Sequence, residues 1–448
     1  MFVYNHIRCS LLKTEKDMEY DWSPQQQESE TVSENTEVSE SCMDLRILRD
    51  EVNFIQSVSQ FYNEEALSDI ILIVNKDKYF AHKFVLAKSS DVFKAMLCEK
   101  NWSHGNKAEV ELNETQECQQ VFDKFLRYLY TAEVSISTSS AVGILCLADK
   151  YDVDSLKQLC VGYMSENSRS PKVKNALSWY PWAKALHFTE LIKQCTRTIA
   201  WNFLEIITSS EWTSMDLEFL YDMLLSSELV IPNECAIWQA LSKWLLHESH
   251  LEHLKDNAAK LLPLIRFPQM IVSQLYEIEQ GELATNLETK HLLHELLSKA
   301  YRFRALCPSQ VDLSISFNEP FYIPRDYTEL TVDNVRMQNT LRFGIQVDVK
   351  MYKGPVPSEN RDADWKITYR KQGEVWTLLL YCHETGLIHN EARVQPSIIV
   401  FNDADKVMQV YREPTCVITR GNTYNIQLSV EQPSVSRHMS VLLKPMPQ

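Results

Sequence analysis

The sequence predicts a multidomain α+β protein: a small α/β domain, then an all-α helical array, then a C-terminal antiparallel β-sandwich. Three observations indicate this order. Residues 45–165 combine an apolar helix stripe with two short β-branched runs, residues 166–300 have dense helical periodicity, and residues 301–448 hold short runs separated by polar turns. The length of 448 residues suffices for three domains of about 100 to 200 residues, each with its own core.

An acidic leader precedes the first domain. Residues 15–44 hold ten Asp and Glu side chains and a single basic one, Lys16, among many Ser, Gln, Thr and Asn residues. Such a segment buries too little apolar surface to fold, so residues 1–44 are predicted to be a disordered acidic leader. From residue 45 to Tyr62 the apolar side chains recur every three or four positions, which places an apolar stripe on one face of a helix.

The α/β domain is predicted to contain a strand pair. The run LSDIILIVN at 67–75 has the β-branched core of a strand, KYFAH supplies its partner, and the polar residues 75–78 form the turn between them. Helical spacing then predicts five further helices. They cover residues 81–88, 91–97, 116–131, 139–150 and 153–166.

Successive segments of this region resemble the signatures of the BTB/POZ family in order and spacing. They are Ser68-Asp69-Ile70, residues 81–87, Ser89-Ser90, residues 93–97, residues 125–131 and residues 147–151. The resemblance implies a BTB fold over residues 45–165 that dimerises by burying the stripe of the first helix against the second subunit. The stripe residues of this expected interface are Leu45, Leu48, Val52 and Ile55. The resemblance also implies that Asp69 and His82 determine the fold and do not form an acid and base pair.

Residues 166–300 resemble a BACK domain, the helical spacer that follows BTB in that family. The segments that carry this resemblance are Ala200-Trp201-Asn202-Phe203, Ser226-Ser227-Glu228-Leu229 and residues 240–245. The prolines at 181, 232, 263 and 268 are predicted to lie at or near helix ends, because proline cannot continue a helix. Six tryptophans are predicted to pack in the core or between helices. They are Trp179, Trp182, Trp201, Trp212, Trp238 and Trp244.

Eight short β-branched and aromatic runs predict the antiparallel β-sandwich over residues 301–448. Together with the segments YRFRAL and FYIPRDYTEL, this region resembles a group of BTB/POZ-BACK proteins whose C-terminal part is similar to TRAF/MATH domains. The resemblance implies a protein or peptide ligand, held at an exposed sheet edge or in side-chain pockets. Four aromatic residues alternate along the runs, so one set is expected to face the core and the other to line a groove. They are Trp365, Tyr369, Trp376 and Tyr381.

The loop at residues 96–106 is predicted to contact a partner. In BTB domains that bind cullin-3, a hydrophobic residue, any residue and then Glu in this loop dock onto the first helices of the cullin. Here Trp102-Ser103-His104 occupies that place, so the apolar anchor is kept and His104 stands where the pattern has Glu. The residues predicted to form this contact are Phe93, Met96, Leu97, Trp102 and His104.

The composition excludes or disfavours several classes of function. The nine glycines stand ten or more residues apart, which excludes a G-x-G-x-x-G turn, a phosphate loop and a G-x-S-x-G elbow. The net charge of −15 disfavours nucleic acid as a partner. No C-x-x-C pair occurs among the eleven cysteines, and His247, His250 and His253 diverge around a helix, so neither a cofactor nor a metal is expected.

The sequence also bears on location. It begins without the apolar run of a signal peptide and contains no apolar stretch of about 18 residues. We therefore expect no membrane contact and a cytoplasmic location, with the nucleus as an alternative and secretion only if a signal lies upstream of this sequence. Asn101 and Asn113 begin N-glycosylation patterns, which would matter in that last case.

These observations favour a non-enzymatic protein-interaction module whose BTB domain forms a homodimer and whose sandwich takes a protein ligand. The sharpest version of this hypothesis is a substrate adaptor for a cullin-3 ubiquitin ligase. The alternative is a scaffold or a secreted protein of the adhesion or matrix type, and a transcriptional co-repressor is a third hypothesis. An enzyme is disfavoured because no nucleophile, base and orienting group share a recognisable motif.

Overall fold

The structure is a computed structural model. It describes residues 50–98, 108–307, 317–327, 335–336, 345–354, 356–372, 375–432, 434–436 and 438–446. The predicted leader and the predicted contact residues Leu45, Leu48, Trp102 and His104 lie outside these ranges. The chain divides into two units, residues 1–51 and residues 52–448, and the contacts described below lie within the second unit.

The first domain is a three-stranded sheet with helices around it. Strands β1 (Ile70–Val74) and β2 (Asp77–Ala81) form the predicted hairpin, and β3 (Glu109–Leu112) pairs parallel to β1, which gives the order β2-β1-β3. Alternate residues of β1 are buried against the helices. The helices are α1 (Glu51–Ser59), α2 (Lys83–Ser89), α3 (Asp91–Cys98), α4 (Gln116–Gln119), α5 (Phe122–Thr131), α6 (Ala141–Lys150) and α7 (Asp154–Asn167).

The single helix predicted over residues 116–131 is in fact two helices. The short helix α4 ends at Gln119, and Val121 has a non-helical backbone, with φ −121° and ψ 6°, just before α5 begins. The break lets Cys118, Val121 and Phe122 all point into the core, where each is buried. An apolar pattern that continues across the break does not reveal it, because the break is set by tertiary packing.

The middle region is the predicted helical array, and its core is continuous with that of the first domain, from Ile70 to Ala300. Its helices are α8 (Val173–Ala185), α9 (Thr189–Trp201), α10 (Phe203–Thr208), α11 (Leu217–Leu225), α12 (Glu234–Leu245), α13 (Leu254–Leu261), α14 (Val272–Glu279), α15 (Glu282–Thr285) and α16 (Lys290–Leu306). Pro232 precedes α12, and Pro263 and Pro268 lie in 3-10 turns after α13. Pro181 was wrongly predicted to mark an end, because it lies inside α8.

The C-terminal region is an antiparallel β-sandwich, as predicted. Its strands are β4 (Val335–Arg336), β5 (Ile345–Met351), β6 (Ala363–Gln372), β7 (Val375–Cys382), β8 (Glu391–Phe401), β9 (Val407–Arg412), β10 (Cys416–Thr419), β11 (Thr423–Ser429) and β12 (His438–Pro445). One sheet, here called the inner sheet, has the order β10-β8-β12-β4 with β9 also paired to β8. The other, here called the outer sheet, has the order β11-β7-β6-β5.

The two sheets enclose an aromatic core. Trp365, Tyr369 and Trp376 are at most 2% exposed and belong to this core. Tyr381 lies on the opposite face of β7 and is half-buried. The expectation that the aromatic side chains divide between two faces is therefore met, with Tyr381 on the solvent side. Together the regions form a multidomain α+β protein.

Candidate interaction surfaces

The first candidate surface is the helix α1, which buries none of its own residues. Val52 is 68% exposed and Ile55 is 40% exposed, so both described members of the predicted dimer stripe are open on the single chain. Near the end of the helix Val58 and Tyr62 pack on the core of the first domain, and the hydroxyl of Tyr62 is bonded to the Asp123 side chain. The helix is thus anchored at its C-terminal end while its apolar residues remain uncovered.

Further exposed apolar side chains lie beyond α1, in the loop before β1 and on α2. The Phe61 ring lies 5.7 Å from the His82 ring in an edge contact, and His82 Nε2 lies 3.3 Å from the carbonyl oxygen of Ala66. Leu67, next to Ala66, and Phe84, two residues after His82, are about as exposed as any apolar side chain of the chain, at 80% and 78%. We call the set of Val52, Ile55, Phe61, Leu67 and Phe84 the α1 surface.

Asp69 and His82 act in the fold, as the family resemblance implied. Asp69 Oδ1 accepts the backbone N–H of Lys83 at 2.8 Å in the first turn of α2. His82 Nδ1 lies 2.9 Å from the hydroxyl of Tyr130, which also accepts the His82 backbone N–H at 3.0 Å. These bonds tie the start of α2 to the residue before β1 and to α5, so the two side chains are occupied in structural contacts.

Three residues of the predicted partner contact are described, and they differ in exposure. Phe93 is fully buried and stacks on Tyr151 at 4.3 Å, and Leu97 is 3% exposed. These two positions are four apart on α3, and both side chains face the core of the domain in the single chain. Met96 is half-buried and is the described residue of the set that reaches the surface.

A buried ion pair joins the segment before the sandwich to the helical array. Arg325 Nε and Nη2 lie 3.0 Å from the two carboxylate oxygens of Glu234, the first residue of α12, and both side chains are at most 2% exposed. The same guanidinium donates to the carbonyl oxygens of Leu224 at 2.7 Å and Leu264 at 3.0 Å. Because each of these acceptors belongs to the array, the pair fixes residues 317–327 onto it.

A second arginine strengthens this attachment. Arg266 donates its backbone N–H to Glu234 at 2.9 Å, and its guanidinium donates to the carbonyl oxygen of Ile323 at 2.8 Å and to Ser227 Oγ at 2.7 Å. Burial lowers the pKa of Arg266 to about 10, and the charge of Arg325 acts in the same direction. Arg325 thus pairs with the Glu234 carboxylate through its guanidinium, whereas the Arg266 guanidinium bonds to uncharged acceptors, the Ile323 carbonyl and the Ser227 hydroxyl.

The inner sheet is docked on the same segment. Arg412 of β9 pairs with Asp326 at 2.8 Å, and Lys444 of β12 donates to the carbonyl oxygen of Pro324 at 3.1 Å. Burial lowers the pKa of Lys444 to about 8, partly offset by Asp326. The segment thus lies between the array and the sandwich and bonds to both.

An apolar cluster completes the junction between the array and the sandwich. Its members come from the array, from the connecting segment and from the face of the inner sheet that points away from the outer sheet. They are Val230, Tyr327, Ile399, Phe401, Val407 and Leu442, with Trp201 and Val410 packed at the margin. The amide of Asn202 accepts the Val407 N–H at 3.1 Å and donates to Ser170 Oγ at 2.9 Å. The sandwich is therefore held in one position on the helical array.

Sequence reasoning did not find this junction, although one signal was present. The run IIVF in β8 and the run VLL in β12 are continuously apolar. A strand buried on both faces has that pattern, whereas a half-exposed strand alternates. In the structure every residue from Pro396 to Phe401 is buried. The pairing of Arg325 with Glu234 spans 91 positions and has no sequence signal.

The outer sheet presents its second face to solvent. Its outward side chains are exposed on β11, at Thr423, Asn425 and Gln427, and half-buried on β7, at Leu379 and Tyr381. The strands β5 and β11 form its two edges. A polar face with a few central apolar side chains and two strand edges suits the binding of an extended peptide.

The remaining predicted constellations have structural roles. Trp179, Trp212, Trp238 and Trp244 are buried, as predicted for the array, and Trp182 and Trp201 are half-buried. His250 stacks on Trp244 at 3.7 Å and bonds to the carbonyl oxygen of Thr213, and it lies in the 3-10 turn Glu248–His253.

Over the described ranges, no group of three His, Cys, Asp or Glu side chains could hold a metal ion. In the same ranges, no helix has the length and apolarity to cross a bilayer.

Comparison with known families defines the class of this protein. The family model described as BTB/POZ domain matches residues 58–168, and the model described as BTB And C-terminal Kelch matches residues 176–280. The chain therefore contains a BTB/POZ domain followed by a BACK domain, which confirms both resemblances seen in the sequence. The C-terminal antiparallel sandwich follows them, and its resemblance to TRAF/MATH domains stays a prediction.

Curated relatives place the chain more closely. It is homologous to BTB/POZ domain-containing protein 17 of Xenopus tropicalis, with 27% identity over 332 residues that make up 70% of this chain and 66% of that protein. It is 27% identical to galectin-3-binding protein of Mus musculus over 230 residues, 50% of this chain and 39% of that protein. It is 23% identical to Kelch-like protein 7 of Homo sapiens over 274 residues, 61% of this chain and 45% of that protein. The matches thus span less than two thirds of these relatives.

Proposed function

We propose that this chain is a non-enzymatic protein-interaction module that dimerises through its BTB domain and acts as a substrate adaptor for a cullin-3 ubiquitin ligase. The observation that carries the proposal is the fixed junction at Arg325 and Glu234, which holds the sandwich on the BACK helices and leaves its outer sheet open. An adaptor needs this arrangement, because a ligand on the sandwich must be kept at a constant position relative to the partner of the BTB domain.

The α1 surface supports the dimer. Apolar side chains as exposed as Val52, Leu67 and Phe84 are expected to be covered by a partner, because contiguous exposed apolar patches mark interaction sites. BTB domains generally dimerise, and a two-fold interface lets the same surface serve both subunits. A dimer would carry two sandwiches, so that two weak contacts with one ligand add as avidity. Leu45 and Leu48 belong to this proposal as the continuation of the stripe.

The ligand of the sandwich is proposed to be a protein or peptide segment. An extended peptide would pair with an edge strand of the outer sheet through main-chain hydrogen bonds, and alternate side chains would reach the face that holds Leu379 and Tyr381. The similarity to Kelch-like protein 7 is consistent with a BTB and BACK scaffold that carries a C-terminal recognition domain.

Titration of the full chain with the cullin-3 N-terminal domain tests the adaptor role. Binding is expected at or below tens of micromolar, and Trp102→Ala is expected to weaken it about tenfold or more, as truncation of an apolar anchor does. Tyr276→Ala is the matched control, because Tyr276 is an aromatic residue that is 59% exposed on the BACK domain, and it should leave the affinity unchanged. Absence of binding at tens of micromolar would refute the adaptor role, and an unchanged affinity of Trp102→Ala would refute the loop anchor.

A scaffold or secreted protein of the adhesion or matrix type is the second candidate. The similarity to galectin-3-binding protein favours it, and Asn113, which begins a glycosylation pattern, is exposed just after β3. Isolation of the natural protein from animal cells and from their medium distinguishes the two candidates, because that protein carries any segment encoded upstream of this sequence. A glycan at Asn113 that peptide N-glycosidase removes would support the second candidate, and an unmodified chain retained inside the cells would support the first.

A further inference from the structure

The helices α4 and α6 of the BTB domain touch at backbone distance. A Cβ atom added to Gly143 of α6 would lie 2.3 Å from the carbonyl oxygen of Glu117 and 2.8 Å from a methyl group of Val121. Side chains longer than hydrogen are excluded at such a contact, so Gly143 is what lets the two helices approach. The residue after Glu117 on α4 and the residue one turn beyond Gly143 on α6 both lie near this contact.

Two cysteines occupy those positions. Cys118 lies on α4, and its Sγ is 3.7 Å from the carbonyl oxygen of Gly143. Cys146 lies three residues beyond Gly143, about one turn further along the same side of α6. Both side chains are nearly covered, at 4% and 6% exposure, and both are free thiols.

The pair is unlike the other cysteines whose side chains the structure describes. Each thiol acts on the pKa of the other: Cys146 lowers the pKa of Cys118, and Cys118 raises the pKa of Cys146. For Cys160, Cys195 and Cys382, burial raises the pKa, and no second thiol contributes. The thiolate is the nucleophilic form of cysteine, and Cys118 lies on α4, a helix of four residues whose neighbouring Glu117 is exposed. This position, together with its lowered pKa, makes Cys118 the member of the pair that reacts first.

We propose that Cys118 and Cys146 are a redox-active dithiol, which hydrogen peroxide converts reversibly into a disulfide between α4 and α6. The sulfur of Cys118 attacks one peroxide oxygen, the O–O bond breaks, and the Cys118 sulfenic acid and one water form. The sulfur of Cys146 then attacks the Cys118 sulfur, and the S–O bond breaks as the hydroxide leaves with the proton of Cys146 as a second water. The two thiols together lose two electrons, which reduce one peroxide to two waters. A dithiol reductant reverses the oxidation.

Access to the pair comes through α4. This helix has four residues, and Gln116 and Glu117 on it are exposed while Cys118 points inward. A single helical turn with few buried side chains is the kind of element that opens locally without global unfolding. Opening of α4 admits a small oxidant to Cys118, and closing returns its sulfur to Cys146.

To test the proposal, the reduced full chain is treated with a small molar excess of hydrogen peroxide, and the reaction is quenched. The remaining free thiols are then mapped by alkylation under denaturing conditions. Two of the eleven thiols should be lost, with a peptide pair linked through Cys118 and Cys146 that a dithiol reductant releases. The yield should not depend on protein concentration, since the bond is within one chain. Retention of all eleven thiols, a link from Cys118 to any other cysteine, or oxidation to sulfinic acid without a link would overturn the proposal.

Variants separate the roles of the two residues. Cys146→Ser should prevent the link and leave a sulfenic acid on Cys118 that dimedone traps, whereas Cys118→Ser should leave Cys146 unreactive. Cys160→Ser is the matched control, because Cys160 is a fully buried thiol of the neighbouring helix α7, and it should form the link as the unaltered chain does. Trapping on Cys146 in the Cys118→Ser variant would contradict the assignment of the nucleophile. The peptide map of the unaltered chain decides the proposal even if a variant fails to fold.

Discussion

Replacing Arg325 by methionine should show how strongly the sandwich is attached to the helical array. The guanidinium is fully buried, lies 3.0 Å from both oxygens of Glu234, and donates to the carbonyl oxygens of Leu224 and Leu264 at 2.7 Å and 3.0 Å. Methionine fills much of the same volume but leaves a buried carboxylate without its cation and these carbonyl groups without their donor. Removal of one partner of a buried ion pair costs about 3 to 5 kcal/mol, and we expect the free energy of unfolding to fall by that amount.

Urea unfolding of the full chain, followed by near-UV circular dichroism at one protein concentration, measures this loss. The double variant Arg325→Met with Glu234→Gln should recover about 1 to 2 kcal/mol, because an amide no longer carries the unpaired charge. Arg393→Ala is the control, since the pair of Arg393 with Glu391 has a similar length of 3.1 Å but is about one-third to two-fifths exposed, and its loss should cost less than about 1 kcal/mol. A loss for Arg325→Met no larger than that of the control would refute the reasoning.

Two further predictions concern stability. Replacement of two helix glycines by alanine should have opposite effects on the free energy of unfolding. Gly143→Ala should lower it by about 1 to 3 kcal/mol, because the new Cβ would lie 2.3 Å from a backbone oxygen. Gly162→Ala should raise it by about 0.5 to 1 kcal/mol, because nothing lies within 4 Å of the new Cβ. Lys444→Met should stabilise the chain at pH 7 by up to about 3 kcal/mol, because burial holds the pKa of Lys444 at about 8 in the fold against an ordinary 10.5 and so disfavours the charged form. That penalty is complete below pH 8 and fades as the pH rises to 10.5, so the advantage of the variant should disappear over this range.

Thermal and urea unfolding of each variant check these predictions. Equal effects at Gly143 and Gly162 would show that the contact between α4 and α6 does not limit side-chain size. A Lys444→Met variant whose advantage stays constant between pH 8 and pH 10.5 would show that Lys444 is solvated and retains its ordinary pKa.

The fold could largely be predicted from the sequence because its elements have strong local patterns. The hairpin of β1 and β2, the helical array and the eight predicted C-terminal runs follow from periodicity and polar turns, and the structure contains each of them. The errors occurred where tertiary contacts override the local pattern. The break at Val121 follows from burial of three neighbouring side chains. Pro181 is accommodated within α8, although proline generally favours a helix end.

The interaction surfaces were harder to predict than the fold. The exposure of Val52 and Ile55 is consistent with an apolar stripe that a partner could cover. Phe93 and Leu97 face the core, because they are four residues apart on the inner side of α3. That spacing was visible in the sequence and would have separated them from Met96. The junction around Arg325 joins residues far apart in the chain, and only the three-dimensional fold brings them together.

The mass of the full chain in solution tests the central claim, the dimer formed through the α1 surface, most directly. Light scattering at tens of micromolar should give twice the 52.2 kDa of one chain. Replacement of both Val52 and Ile55 by glutamate, which places charge on exposed apolar positions without disturbing the core, should reduce the mass to that of a single chain. A single-chain mass for the unaltered protein, or a dimer that survives the double replacement, would contradict the account.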